Sequence, residues 1–265
     1  MIRRGALVVA AATLGLFLTA PIVGLVVRAV THGALGAALA STVVVDALRL
    51  SLLTTLVSLA VTMAIGTPLA FMLARRRFPG AGLVELVVDL PIVLPPSVAG
   101  LALLLLFGRR GLLGESLDAF GLAIPFTVVA VVLAQVFVAA PLYVRAARAG
   151  FEGLPRDLED AARVDGAGEL GVFRHVIVPL ASPALAAGLV LSWARSLGEF
   201  GATILFAGNV AGRTQTLPLV VYAEFQGGDL EAAVAAATVL VGAAILVLGA
   251  VGLGRRGQRV ELIAG

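Results

Sequence analysis

Residues 145–179 read RAARAGFEGLPRDLEDAARVDGAGELGVFRHVIVP, a charged block set between long apolar runs. In a chain dissolved in lipid most charge has to stay in water, because an ionised side chain at mid-bilayer costs about 2.5–3.5 kcal/mol on insertion scales. A compact charged segment between two spans is therefore where a water-soluble partner would grip.

The rest of the chain supports the bilayer as solvent. Of 265 residues, 60% are hydrophobic and 13% charged, and mean hydropathy is +1.07; soluble domains carry about 25% charge. A hydrocarbon core of roughly 30 Å needs about 20 helical residues to cross. Six stretches qualify: 6–30, 50–74, 84–107, 124–144, 176–206 and 230–253. The fifth exceeds one crossing, so part of it tilts or lies outside the lipid. These runs are far longer than the roughly ten-residue segments of a barrel. The expectation is a single all-α domain over 1–265, without internal repeat or linker. The apolar run after Arg3 and Arg4 continues past Pro21. It outlasts the 7–15 residues of a signal-peptide core and is read as an uncleaved first span.

Residue usage excludes several chemistries. There is no cysteine, hence no disulfide, iron–sulfur cluster or thiol catalysis. All 19 basic residues are arginine. Without lysine a Walker A phosphate loop cannot form, and neither can a Schiff base. His32 and His175 are far apart, and no histidine–carboxylate cluster has metal-ligand spacing. The net charge of +3 is modest, and the arginines sit at span ends, so no nucleic-acid partner is expected.

Arginine also orients the chain. With Arg3 and Arg4 in the cytoplasm, six spans put thirteen arginines inside, those at 3, 4, 75–77, 145, 148, 156, 163, 174, 255, 256 and 259. Arg28, Arg49, Arg109, Arg110 and Arg213 remain outside. That bias follows the positive-inside rule, with both termini cytoplasmic, although Arg109–Arg110 runs against it. A five-span alternative needs one run to be re-entrant.

Within the charged block, Pro155 can open a helix. Asp157, Glu159 and Asp160 suit the positive end of its dipole. Glu159 and Arg163 form an i,i+4 pair, and Leu158, Ala161 and Ala162 make a small apolar patch. Gly166 and Gly168 end the helix, and a second helical piece, 169–175, leads to Pro179. The product is a helix–turn–helix knob whose small side chains let a partner approach closely.

The spacing of this block resembles the EAA motif of ABC-type importer permeases: Glu-Ala-Ala, then Gly after three residues, then Ile-x-Leu-Pro after nine more. Here Asp160-Ala161-Ala162 precedes Gly166, and Val176-Ile177-Val178-Pro179 follows. Asp for Glu, and Val for Ile and Leu, are departures within one chemical type. Segments 91–100 (PIVLPPSVAG), 193–203 (WARSLGEFGAT) and 212–219 (GRTQTLPL) are similar to the molybdate/tungstate branch of that family. Sulfate/thiosulfate permeases share the Leu-Gly-Glu-Phe-Gly core at 197–201, and the segment 212–219 favours molybdate.

The resemblance implies a type I ABC importer permease fold with six spans and a cytoplasmic coupling loop at 151–179. It also implies residence in a bacterial or archaeal cytoplasmic membrane. Two copies would form the pore as a homodimer. A separate cytoplasmic ATPase dimer would bind ATP-Mg and receive the knob, and an extracytoplasmic oxyanion-binding protein would deliver cargo. This chain itself would bind no cofactor or metal and catalyse no reaction. The ATPase-coupling residues would be Leu158, Glu159, Asp160, Ala161, Ala162, Asp165, Gly166, Gly168 and Pro179.

Inside the membrane, Arg195 and Glu199 stand at i,i+4 in the fifth run. They either contribute to a gate and anion path or neutralise each other, the second being preferred for Glu199. Ser51, Thr54, Thr55, Ser58 and Thr62 share one helical face; the stripe lines a wet path or, the preferred reading, packs helices. Pro91, Pro95 and Pro96 interrupt the third span as a hinge, a gate element or a plain kink. Glu85 and Asp89 precede them near the cytoplasmic interface, and residues 208–229 lie outside or dip back, as a docking surface or an ordinary loop. An autonomous secondary transporter is the competing class. It predicts inverted halves or paired intramembrane carboxylates, and neither occurs here.

Overall fold

The computed structural model describes residues 4–76 and 78–264, with side chains over 5–76 and 78–249. Arg3 and Arg77, and the side chains of Arg4, Arg255, Arg256 and Arg259 used for orientation, lie outside the described residues. The elements, in order, are α1 (Arg4–Thr31), α2 (Ala34–Ala40), α3 (Thr42–Arg75), α4 (Ala81–Val93), α5 (Pro96–Phe107), α6 (Gly114–Ala119), α7 (Val128–Glu152), α8 (Asp157–Val164), α9 (Glu169–Val172), a π-turn (Phe173–Ile177), α10 (Val178–Leu197), α11 (Gly201–Phe206), α12 (Leu217–Gln226) and α13 (Leu230–Ala264). Among the described residues there is no strand.

Five continuous stretches are long and apolar enough to cross a membrane: Gly5–Thr31, Thr42–Arg75, Val128–Glu152, Glu169–Leu197 and Leu230–Gly249. The expected third span is instead α4 and α5, bent through 119°. Contacts show that this pair still carries the chain across. Arg75, at the end of α3, touches Leu154 and Glu159 of the charged block. Helix α7 starts at Val128, capped by Thr127, at the opposite end of the molecule, and runs back to that block. A re-entrant α4–α5 would return to the side it left, so six crossings result.

The bend has a chemical cause. Leu94 and Pro95 are extended, and Pro96 is the first residue of α5, where its missing N–H costs nothing. Pro91 lies inside α4 and does not break it. The fifth run also departs from expectation. It is helical back to Glu169 and stops at Leu197, and Gly198–Phe200 separate it from the short α11. The second helical piece of the loop is thus the start of this span. Its π-turn just precedes Pro179, whose ring crowds the carbonyl four residues back and whose N–H is absent. Helix α3 starts at Thr42 rather than 50, because Asp46 and Arg49 sit on its exposed side, 3.7 Å apart, and do not interrupt the coil.

Helix α7 is the hub, packed along α3 and α10. Three apolar clusters make up the core, two of them built on α7. One joins α5, α7 and α11, one joins α2, α3, α12 and α13, and one joins the ends of α3 and α7 to the start of α10. Of the 208–229 stretch, α12 dips back into the protein, with Leu217, Leu219 and Val220 fully buried. Helix α1 touches α2 and α13, and Phe17 on its flank is 72% exposed, as a lipid-facing side chain should be.

Candidate functional site

The charged block folds as a knob on the α7 side of α10. Pro155 does not start its helix, since Arg156 is the N-cap and Asp157 the first residue. Proline instead holds Leu154 away from helical geometry and separates α8 from α7. Asp157, Glu159 and Asp160 occupy the first turn, where the dipole favours anions. At the other end Asp165 is the C-cap, and Gly166 adopts φ +91°, a left-handed conformation that costs other residues about 1–2 kcal/mol. The Ala167 N–H reaches the Ala162 carbonyl at 3.0 Å and the Gly166 N–H reaches Arg163 at 3.0 Å, the two bonds of a Schellman stop. Gly168 is extended at φ −70° and is the N-cap of α9, so its backbone does not demand glycine.

Two anchors hold the knob. Glu159 was expected to pair with Arg163, and it does at 3.4 Å. Its closer partner is Arg75 at the end of α3, 2.8 Å away, with both side chains over nine-tenths buried. Arg75 also donates to the Leu154 carbonyl at 3.1 Å. The second anchor is aromatic: Phe71 of α3 meets Phe151 of α7 edge-on at 5.6 Å and Phe173 of the π-turn at 5.0 Å. Arg163 gathers the outer charges, with Asp160 and Glu169 at 2.9 Å. Its pKa is raised above the ordinary arginine value, first by the Glu169 hydrogen bond.

The outer surface of the knob is left open. Ala161 is exposed while Ala162 and Ala167 pack inward. Leu158, Val164 (87%) and Leu170 (77%) present apolar side chains on a segment otherwise made of charge. An apolar face beside a water-directed charge network is what a docking protein would cover. Pro179, also exposed, stands just beyond the π-turn.

In the membrane half, the two breaks in the helices meet. A Cβ on Gly100 of α5 would lie 2.6 Å from the Ala202 carbonyl oxygen, and one on Gly201 would lie 2.8 Å from Pro96 Cβ. Only glycine permits this approach of α5 to α11. Glu199 sits in the break before α11, its Oε1 accepting the Ala202 N–H at 2.7 Å. Its Oε2 is 2.5 Å from Arg195 Nη1, with the carboxylate fully buried and the guanidinium about a third exposed. Glu199 thus caps the start of α11 and pairs with Arg195.

The hydroxyl stripe of α3 is buried. Ser51, Thr54, Thr55, Ser58 and Thr62 are each at most 2% exposed. Ser51 Oγ accepts the Leu217 N–H of α12 at 2.8 Å, and Thr54 Oγ1 accepts from Gln135 of α7 at 3.2 Å. Thr55 and Ser58 return their protons to backbone carbonyls of α3. The stripe packs α3 against α7 and α12 rather than facing open space. Glu85 and Asp89 of α4 pair with Arg148 and Arg145 of α7 at 2.8 and 2.7 Å, in the last turns of α7 before the knob.

The arrangement recurs in known proteins. A family described as binding-protein-dependent transport system inner membrane component matches residues 66–254. The probable transport system permease protein NifC of Clostridium pasteurianum is 43% identical over 192 residues, 72% of this chain and 67% of that one. The molybdenum transport system permease protein ModB of Escherichia coli is 44% identical over 191 residues, 71% of this chain and 83% of that one. The sulfate transport system permease protein CysT of Salmonella typhimurium is 40% identical over 205 residues, 77% and 74%. Among solved structures, a bacterial ABC transporter that imports alginate superposes with a TM-score of 0.73 at 18% identity, covering 96% of this chain and 94% of that one. The MetNI methionine ABC transporter gives 0.62 at 20% identity, over 81% and 95%.

Proposed function

The chain belongs to the binding-protein-dependent transport system inner membrane components, and from that membership we propose that it is the pore-forming permease of a molybdate or tungstate importer. The membrane-permease class follows from the family and from the ABC-importer fold. The cargo is our reading. It is supported by the segment 212–219 together with relatives named for molybdenum transport at 42–44% identity. A sulfate relative at 40% keeps sulfate or thiosulfate as the second reading.

The single observation that carries the mechanism is the anchored knob. Its exposed Leu158, Val164 and Leu170 would seat in an ATPase subunit on the cytoplasmic side. Arg75 and the Phe71–Phe151–Phe173 cluster would pass its displacement to α3, α7 and α10. ATP-Mg would be bound by that separate ATPase, two permease copies would enclose the path, and a binding protein would dock on the opposite face. The α5–α11 contact is the candidate moving part, because two helices with broken ends and short hydrogen-bond ladders shift more readily than a continuous span.

Uptake into proteoliposomes holding this chain with its ATPase and binding protein tests the cargo. Molybdate should accumulate with ATP, and sulfate at equal concentration should leave that uptake nearly unchanged. Displacement of molybdate by equimolar sulfate would move the assignment to the second reading.

A further inference from the structure

Two arginines at the end of the molecule away from the knob share one cavity. Arg109 follows the end of α5, and Arg213 lies in the turn before α12. Both line a space of about 430 Å³ with Leu104, Pro125, Phe126 and Thr127. It lies at the N-terminal end of α7, the end away from the knob. Arg28, Arg75, Arg145, Arg148, Arg163 and Arg195 each hold a carboxylate within 3 Å, whereas among the described residues Arg76, Arg110, Arg156 and Arg174 hold none within 4 Å and line no cavity with a second free arginine at this end of α7. Arg109 and Arg213 have no carboxylate partner among the described residues, and none lines the cavity.

The walls are fixed by strained backbone. Phe126 is the one described non-glycine residue at positive φ, 61°. Its N–H donates to the Phe206 carbonyl at 3.3 Å, and its ring fills the place of a side chain at Gly208, where a Cβ would stand 2.8 Å away. Such a conformation costs about 1–2 kcal/mol and persists only where the surroundings impose it. Thr127 caps α7 through the Ala130 N–H at 3.3 Å, so the positive end of a 25-residue helix opens beside the same space. Two exposed guanidiniums without a carboxylate within 4 Å among the described residues, and a helix end, thus supply positive potential beside the cavity.

The geometry points to an anion site: Arg109 and Arg213 receive a tetrahedral divalent oxyanion on the face where cargo arrives. This rests on the oxyanion reading above for the direction of travel and the identity of the cargo. The cavity is larger than such an anion, which enters with part of its hydration shell. Binding is then weak and exchangeable, as a conducting path requires. Arg195, already engaged by Glu199, is not needed for this task.

The test uses the full-length chain in nanodiscs of neutral lipid, with radiolabelled molybdate in equilibrium dialysis at low salt. The wild-type chain should show saturable binding that sulfate competes and chloride does not. Arg109→Gln and Arg213→Gln should each weaken it about tenfold, the loss of one charge-assisted contact. Arg213→Lys should retain part of the affinity, and Arg49→Gln should leave it unchanged. Absence of saturable binding, or wild-type binding by the double Gln variant, would overturn the site. So would a raised KM for the loaded binding protein in reconstituted uptake while molybdate binding by the chain stays intact, because the arginines would then serve protein docking. Should the wild-type transporter import neither anion while arginine-dependent binding persists, the cargo assignment fails and the site stands.

Discussion

A carboxylate buried at the base of a water-facing loop needs a cation within reach, and for Glu159 that cation is Arg75. Removing one partner strands the other, which costs about 3–5 kcal/mol for a buried pair. Arg75→Met should therefore lower the unfolding midpoint and uncouple ATP hydrolysis from uptake. Adding Glu159→Met should recover much of the stability but not the coupling. Equal stability losses from the single and double variants would show that the pair does not interact. At Gly166 the demand is on backbone alone: Gly166→Ala should cost about 1–2 kcal/mol through its positive φ, read as earlier unfolding with insertion intact. Glu159 and its pairing with Arg163 were legible in the sequence, but its closer partner was not. Arg75 sits in a run of three arginines that reads as a topology signal, and only folding brings it to residue 159.

At the scale of elements, the contact between α5 and α11 is set by two glycines facing backbone and proline. Gly100→Ala should force the helices apart, a strain of about 1–3 kcal/mol for an overpacked contact. The expected readout is altered uptake with ATPase binding preserved. Unchanged uptake and stability would show that the contact is loose and remove α5–α11 as a moving part. On the knob, Val164→Asp with Leu170→Asp should abolish capture of the ATPase subunit while the midpoint moves little, since both side chains face solvent. The helix–turn–helix form was readable from Gly166 and the acidic first turn. The π-turn and the continuity of α9 with the span were not, because apolar periodicity does not report a single widened turn.

For the whole molecule, the absence of cysteine makes orientation directly measurable. Ala161→Cys in the knob should react with a membrane-impermeant maleimide only from the cytoplasmic side, and Ala211→Cys only from outside. Labelling of both from one side would contradict the six-crossing path, and reversed labelling would contradict the cytoplasmic knob. Composition and the length of apolar runs determined by themselves that the chain is a helical membrane protein with a charged block between spans. Hydration of charge and the length of a bilayer-crossing helix are properties of residues in order, and need no knowledge of neighbours. Tertiary structure alone decided that the hydroxyl stripe is buried against α7 and α12, that Glu199 caps α11, and that Arg109 and Arg213 face one cavity. A helical face or an i,i+4 spacing says which side chains travel together. What they meet depends on contacts between residues far apart in the chain, and those form only when the spans pack.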